Sequence, residues 1–273
     1  MKIRIGIDAG TTVTKLAAMK NGQLFDHLRV DSEPSDADIH LLYELLVEKH
    51  HLTDDDIASI NLTGVGATGF TDKLGNIVPT YVHEFDADVA GAEYLAKGIN
   101  DFLLISLGTG TTFLRVTDNK AHHIGGLGMG GGTVKGLAKY MTNSTNVYTL
   151  DNLAKSGSLS NVNFTMKDVS KATFEGLMED LTASNFGKTY IDAKIEDLAA
   201  GIYSLVLENC IQTGCMLAKQ LGVNTIVLIG GLCNSGELDR CLKLFRIMYP
   251  DFNFIVSENG SYNTAIGTAL ISI

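Results

Sequence analysis

Cysteine is scarce in this chain: four residues in 273, Cys210, Cys215, Cys233 and Cys241, all late, irregularly spaced and without a CxxC pair. That excludes the disulfide framework of a small secreted scaffold, and reduced thiols in a cytoplasmic protein are expected. Long apolar runs are missing as well. The opening "MKIRIGIDAG" turns polar at Asp8, and no later stretch approaches the roughly 18 uninterrupted apolar residues of a membrane span, so neither an export signal nor a membrane anchor is expected. Basic residues are outnumbered, 21 Lys and Arg against 31 Asp and Glu, for a formal charge of −10. A nucleic-acid partner needs clustered cations and is not expected. A Walker GxxxxGK[ST] loop and a GxGxxG between the first strand and helix are both lacking, so a bound nucleotide would need a different phosphate holder. With no low-complexity linker either, the halves should be fused lobes around one cleft.

What the chain has in excess is glycine: 29 residues, about 11% against about 7% in average usage. The glycines cluster. "AHHIGGLGMGGGTVKGL" at 121–137 is the densest stretch, with His122 and His123 just ahead of its glycines. Residues 2–30 read as three short strands, the last two joined by Asn21-Gly22, a strong hairpin signal. The spacing predicts a helix over 36–50 and a strand over 57–63. Near the middle, "FLLISLGTGTTFLRVTD" is strand, glycine corner and strand, and "KAHHIGGLG" follows as a third strand after an Asp118-Asn119 turn. The two units look like one design used twice. Beyond them come a helix opened by "GTVKGLAKYMT", a short helix near 149–155, a long helix over 194–221, and two closing strand-helix pairs.

Three glycine corners carry the chemistry. In "DAGTT" (8–12), Gly10 lets backbone amides approach a phosphate, Thr11 and Thr12 add hydroxyl donors, and Asp8 could hold a hydrated Mg²⁺. Lys15 could reach a phosphate oxygen, and reads equally well as a solvated strand lysine. "GTGTT", with Gly108, Thr109 and Gly110, repeats the device about a hundred residues later. "IGG", ending in Gly230 and Gly231, follows a buried strand and precedes a helix, where open α/β sheets bind ligands.

In this order the corners resemble the acetate-and-sugar-kinase, heat-shock-chaperone and actin superfamily. That resemblance implies an α/β fold of two duplicated ribonuclease H-like lobes with a nucleotide cleft between them, the actin-like ATPase fold. Residues 1–98, with 260–273 packing back, would form the N-terminal lobe, and 99–259 the C-terminal lobe. Many sugar kinases of the superfamily carry a catalytic aspartate at the second corner, where this chain has Ser106 and Leu107. "VHEFDADVAGAEYLAKG" (82–98) offers a replacement: Glu84, after an apolar strand and just before a helix whose expected cap is Asp86. On sequence alone both acids could equally be first-turn residues favoured by the helix dipole.

The ordered set "IDAGTTVTK", "HEFDA", "SLGTGTT", "GGLGMGGGTVKGL", "LTASNFG", "IGG" and "ENGSYNTAIGTAL" closely resembles type II pantothenate kinases. The resemblance implies ATP-dependent phosphorylation of pantothenate with Mg²⁺, a homodimer joined through long helices, and Glu84 as base for the primary hydroxyl. It puts Asp8, Thr11, Thr12 and Lys15 on the phosphate and metal side. Thr109 and Gly110 would meet phosphate, and Gly130, Gly131 and Gly132 would hold ATP phosphates at a helix start. One position departs: the family's arginine before "[VI]GG" is here His123, which can lack the permanent charge of arginine. The zinc motif of some sugar kinases and the cluster-bridging cysteines of dehydratase activators are not evident. Three readings stay open: a pantothenate kinase, a kinase of another small alcohol or amino sugar, and a degenerate nucleotide-binding regulator.

Overall fold

The computed structural model describes residues 2–31, 35–118, 120–169 and 181–272, so the Asn119 half of the expected Asp118-Asn119 turn lies outside the described residues. The chain opens with β1 (Ile3–Ala9), β2 (Thr14–Lys20) and β3 (Gln23–Val30). Ile5, Ile7, Leu16, Ala17 and Ala18 are fully buried, the near-continuous apolar pattern of strands covered on both faces. β3, at the sheet edge, alternates exposed and half-buried residues instead. Asn21 (φ 56°) and Gly22 (φ 73°) provide the two left-handed residues of the tight β2–β3 hairpin turn.

Helix α1 (Asp36–His50) starts where Ser35 caps it, the hydroxyl accepting from Asp38 N at 3.3 Å, and ends where His51 turns left-handed (φ 51°). It buries Ile39, Leu42, Tyr43 and Leu46, one face at helical spacing, against β1, β2 and β4 (Ile57–Thr63). β4 runs parallel to β1, and β5 (Thr80–Tyr81) parallel to β4, giving the order β3-β2-β1-β4-β5. Helix α2 (Glu84–Ala96) follows.

The second sheet comes from β6 (Asp101–Leu107), β7 (Thr111–Thr117), β8 (Lys120–Leu127), β11 (Thr225–Ile229) and β12 (Asn253–Val256), ordered β12-β11-β6-β7-β8. Counted from its own first strand, each sheet reads third, second, first, fourth, fifth. The duplication expected from the sequence is thus present in the strand order. Between β8 and β11 lie α3 (Gly131–Thr142), α4 (Val147–Ser156), β9 (Phe164–Thr165), α5 (Met166–Val169), β10 (Thr182–Ser184) and the 27-residue α6 (Ile195–Leu221). α7 (Gly236–Met248) and α8 (Asn263–Leu270) complete the helices named here.

By contact density the chain forms two compact units. One is Met1–Leu104 with Leu114–His123 and Val256–Ile273; the other is Ile105–Phe113 with Ile124–Ile255. In the first, the C-terminal helix belongs to the β1–β2 core: Ala265, Ile266 and Ala269 pack on Ala17 and Met19. Buried Asn61 of β4 ties its end down, donating to Thr268 O and Ile271 O at 2.9 Å each.

Candidate active site

Asp8 is the penultimate residue of β1, paired in register with Lys15 of β2 on one side and Thr63 of β4 on the other. Burial pushes its carboxyl up to about 6; Lys15 opposes the shift and the charge of Glu84 adds to it. The chain leaves β4 through Gly64 (φ 88°), where a Cβ would fall 2.4 Å from Ala9 O and 3.0 Å from an Asp8 carboxylate oxygen. Only glycine suits that backbone and that proximity, so the end of β4 can close over the end of β1.

Glu84 is the first residue of α2, not a residue ahead of it. The helix is capped by His83, whose Nδ1 accepts from Phe85 N at 3.3 Å, and the expected cap Asp86 instead lies exposed in the first turn. The imidazole takes the capping role because extended backbone at His83 (φ −65°, ψ 133°) turns its ring back onto the helix start. Glu84 is exposed. Four residues on, hence on the same helix face, Asp88 is only 4% exposed. Its Oδ1 accepts from the Thr264 hydroxyl of α8 at 2.6 Å, and its main-chain oxygen accepts from Asn263 Nδ2 at 3.0 Å. Burial pushes the Asp88 carboxyl up to about 7; the Thr264 hydrogen bond opposes this, Glu84 and Asp8 reinforce it, and Lys15 opposes it. Three acids and one lysine therefore share an electrostatic environment. The sequence pointed to Asp8, Lys15 and Glu84 as candidates, and not to Asp88, Thr264 or Gly64.

His123 lies on exposed β8 backbone with its ring stacked on Phe85, centroids 5.6 Å apart and planes 10° from parallel. Phe85 in turn meets the His83 ring edge-on at 5.4 Å. His123 is thus held beside the residue that follows Glu84, whereas His122 is exposed with no such stack among the contacts described. At the first corner, Gly10 N donates to Val13 O at 3.1 Å, closing the turn that carries exposed Thr11 and half-buried Thr12.

In the second unit the glycine segments come together. Gly131 N donates to Gly108 O at 2.7 Å and Gly132 N to Thr109 O at 2.9 Å, while Gly130 N donates to the Thr133 hydroxyl at 3.1 Å. These leading amides of α3 are engaged inside the protein. A Cβ on Gly130 would fall 2.7 Å from Gly110 and from Thr109 O, so the run is glycine because the corner lies on it. A trans peptide points its C=O and N–H in opposite directions, and no peptide among the described residues is cis. With the Gly108 and Thr109 carbonyls turned to α3, the N–H groups of Thr109 and Gly110 are turned away from it. The third corner joins the same cluster: a Cβ on Gly230 would meet Leu107 O at 2.5 Å, and Leu232 lies 3.9 Å from the Cβ position of Gly131. No helix among the described residues is long and apolar enough to cross a membrane.

The family model named Fumble matches residues 9–242. A type II pantothenate kinase of Bacillus cereus (strain G9842) is 30% identical across 99% of this chain and 98% of that protein. One from Staphylococcus epidermidis is 29% identical, across 97% and 98%. Among solved structures, the activator of 2-hydroxyisocaproyl-CoA dehydratase from Clostridium difficile, with bound ADPNP, has a TM-score of 0.67 at 20% identity, covering 98% of this chain and 93% of that one. A ROK family glucokinase from Streptomyces griseus in complex with glucose and AMPPNP reaches 0.58 at 14% identity, covering 98% of each. These structures establish the fold, two α/β lobes of the actin-like ATPase kind. The sequence matches, spanning nearly the whole length, establish more: the chain belongs to the Fumble family, that of the type II pantothenate kinases.

Proposed function

We propose that the protein transfers the γ-phosphoryl group of ATP to the primary hydroxyl of pantothenate, giving 4′-phosphopantothenate, the first step towards coenzyme A. The observation that carries this is Glu84, an exposed carboxylate at the start of α2 that shares its electrostatic environment with half-buried Asp8 and buried Asp88, in a chain about 30% identical to type II pantothenate kinases over nearly its full length. Glu84 takes the hydroxyl proton as the oxygen attacks phosphorus; the bond from the γ-phosphorus to the bridging oxygen breaks, and ADP leaves with that oxygen. In the first unit Gly10, Thr11, Thr12 and Lys15 are the groups that meet phosphate. In the second unit Thr109 and Gly110 offer phosphate their amides, turned away from α3, with Gly108, Gly130, Gly131 and Gly132 setting the shape of that corner and Gly230 and Gly231 receiving the nucleoside end.

Asp8 suits Mg²⁺: it is an oxygen donor whose carboxyl burial pushes up to about 6, so a cation beside it would favour the charged form. Among the described residues no group of three or more ligand-type side chains is arranged to hold a metal. That favours an ion arriving with the nucleotide, held by one carboxylate, phosphates and water. When bound, Mg²⁺ neutralises charge on the transferring phosphates.

His123 supports a second reading, another small alcohol or amino sugar as acceptor, or nucleotide binding without transfer. An acceptor screen for ADP release decides. Pantothenate-dependent release, increased by His123→Arg, fits the first reading; release with a different acceptor, or with none in either form, overturns it. We also assign the enzyme to the cytoplasm, on its free cysteines, and to a homodimer through α6, where Met216 is 62% exposed.

A further inference from the structure

The corner that ends in Gly231 is fixed at its β11 end by Gly230 packing on Leu107. Its other end runs through a single 3-10 turn, Gly231–Asn234, to Ser235, the cap of α7. Ser235 is gripped from a different helix. Asp151 of α4 accepts from the Ser235 hydroxyl at 2.7 Å and from Gly236 N at 3.1 Å through the same Oδ1, and its Oδ2 meets Lys155 Nζ at 2.6 Å. The Ser235 proton is thereby directed at Asp151, leaving an oxygen lone pair to accept from Glu237 N at 3.2 Å. A carboxylate from α4 thus supplies both a hydrogen-bond acceptor and a negative charge at the start of α7, where the helix dipole is positive. Lys155 lies across Gly236, its Cε 2.8 Å from where a Cβ would stand. The pair clamps the α7 start without entering the corner itself.

We propose that Asp151 is a positioning residue for the adenine nucleotide: by capping α7 from α4 it holds the Gly230–Gly231 corner in the shape that receives ATP. The inference rests on the assignment of that corner to the nucleotide, and two variants separate the two ideas. Gly231 is exposed, with nothing within 4 Å of its Cβ position, so Gly231→Val leaves the protein intact and obstructs whatever binds there.

The measurement is calorimetric titration of the full-length protein with Mg²⁺ and a non-hydrolysable ATP analogue, alongside KM for ATP and for pantothenate. Asp151→Ala is expected to weaken nucleotide binding by about tenfold, the scale of a lost charged cap, with KM for pantothenate unchanged. Asp151→Asn, which keeps an oxygen for Ser235 and Gly236, restores most of the affinity. Ser235→Ala removes the relay without touching α4 and is expected to act in the same direction, so it serves if Asp151→Ala does not fold. Unchanged nucleotide affinity in Asp151→Ala, or an equal rise in both KM values, overturns the positioning role. Unchanged affinity in Gly231→Val overturns the assignment of the corner to the nucleotide.

Discussion

Asp88 has 4% of its surface exposed and a threonine hydroxyl on its carboxyl. Its pKa is raised to about 7 and that of Asp8 to about 6. An acid raised on folding takes up protons that the unfolded chain has released, so its stabilising contribution is complete below about pH 4 and is lost as pH rises through its folded pKa. For Asp88 the window is about pH 4 to 7, and the loss is on the order of 4 kcal/mol. Asp88→Asn keeps an acceptor for Thr264 and removes the charge. Urea unfolding without nucleotide or metal should show the variant more stable than wild type at pH 8, with the gap closing towards pH 5; parallel pH profiles would show that Asp88 is not buried as a costly charge. Glu84 was legible because its motif is local. Asp88 was not, since an aspartate inside "FDADVAGAEYL" reads as a solvent-facing helix residue, and its burial depends on Thr264, 176 positions away in the chain.

At the level of elements, the glycine run and the corner at 108–110 form one piece of structure. Gly130 has extended backbone (φ 176°) that any residue adopts, so Gly130→Ala is a steric wedge with no backbone strain of its own. The added methyl would press on Gly110 and Thr109 and displace their amides. The expected outcome is a destabilisation of about 1–3 kcal/mol with KM for ATP raised more than KM for pantothenate, checked by thermal unfolding and steady-state kinetics; equal effects on both KM values would contradict it. Strands, hairpin turn and helices were largely readable, because apolar period and Asn-Gly are local signals. What was hidden is that the Gly131 and Gly132 amides face inward, since sequence does not say which carbonyl a glycine N–H meets. The cap of α2 was misplaced for a similar reason: Asp86 looks like a cap, and His83 acts as one through its ring.

At the level of the whole molecule, the two sheets share one strand order, so the chain is a duplicated α/β plan whose two units carry different side chains. The first gathers acids and Lys15; the second gathers glycine corners. The duplication was legible in the sequence as two similar strand-corner-strand units, the first with Asp8 at its corner. The proposed self-association through α6 belongs to this scale. Light scattering after size-exclusion chromatography should give twice the chain mass, and Met216→Glu, which puts a charge on the exposed face of α6, should shift it towards the monomer; a monomeric wild type would remove the dimer from the description.

The most direct measurement is ADP formation from MgATP with and without pantothenate, for the wild type and for Glu84→Gln. Wild type should release ADP only with pantothenate, and Glu84→Gln should lose kcat by at least about two orders of magnitude, as removal of a general base requires, while still binding ATP. Pantothenate-dependent turnover that survives Glu84→Gln would contradict the assignment of this carboxylate as the base of a pantothenate kinase.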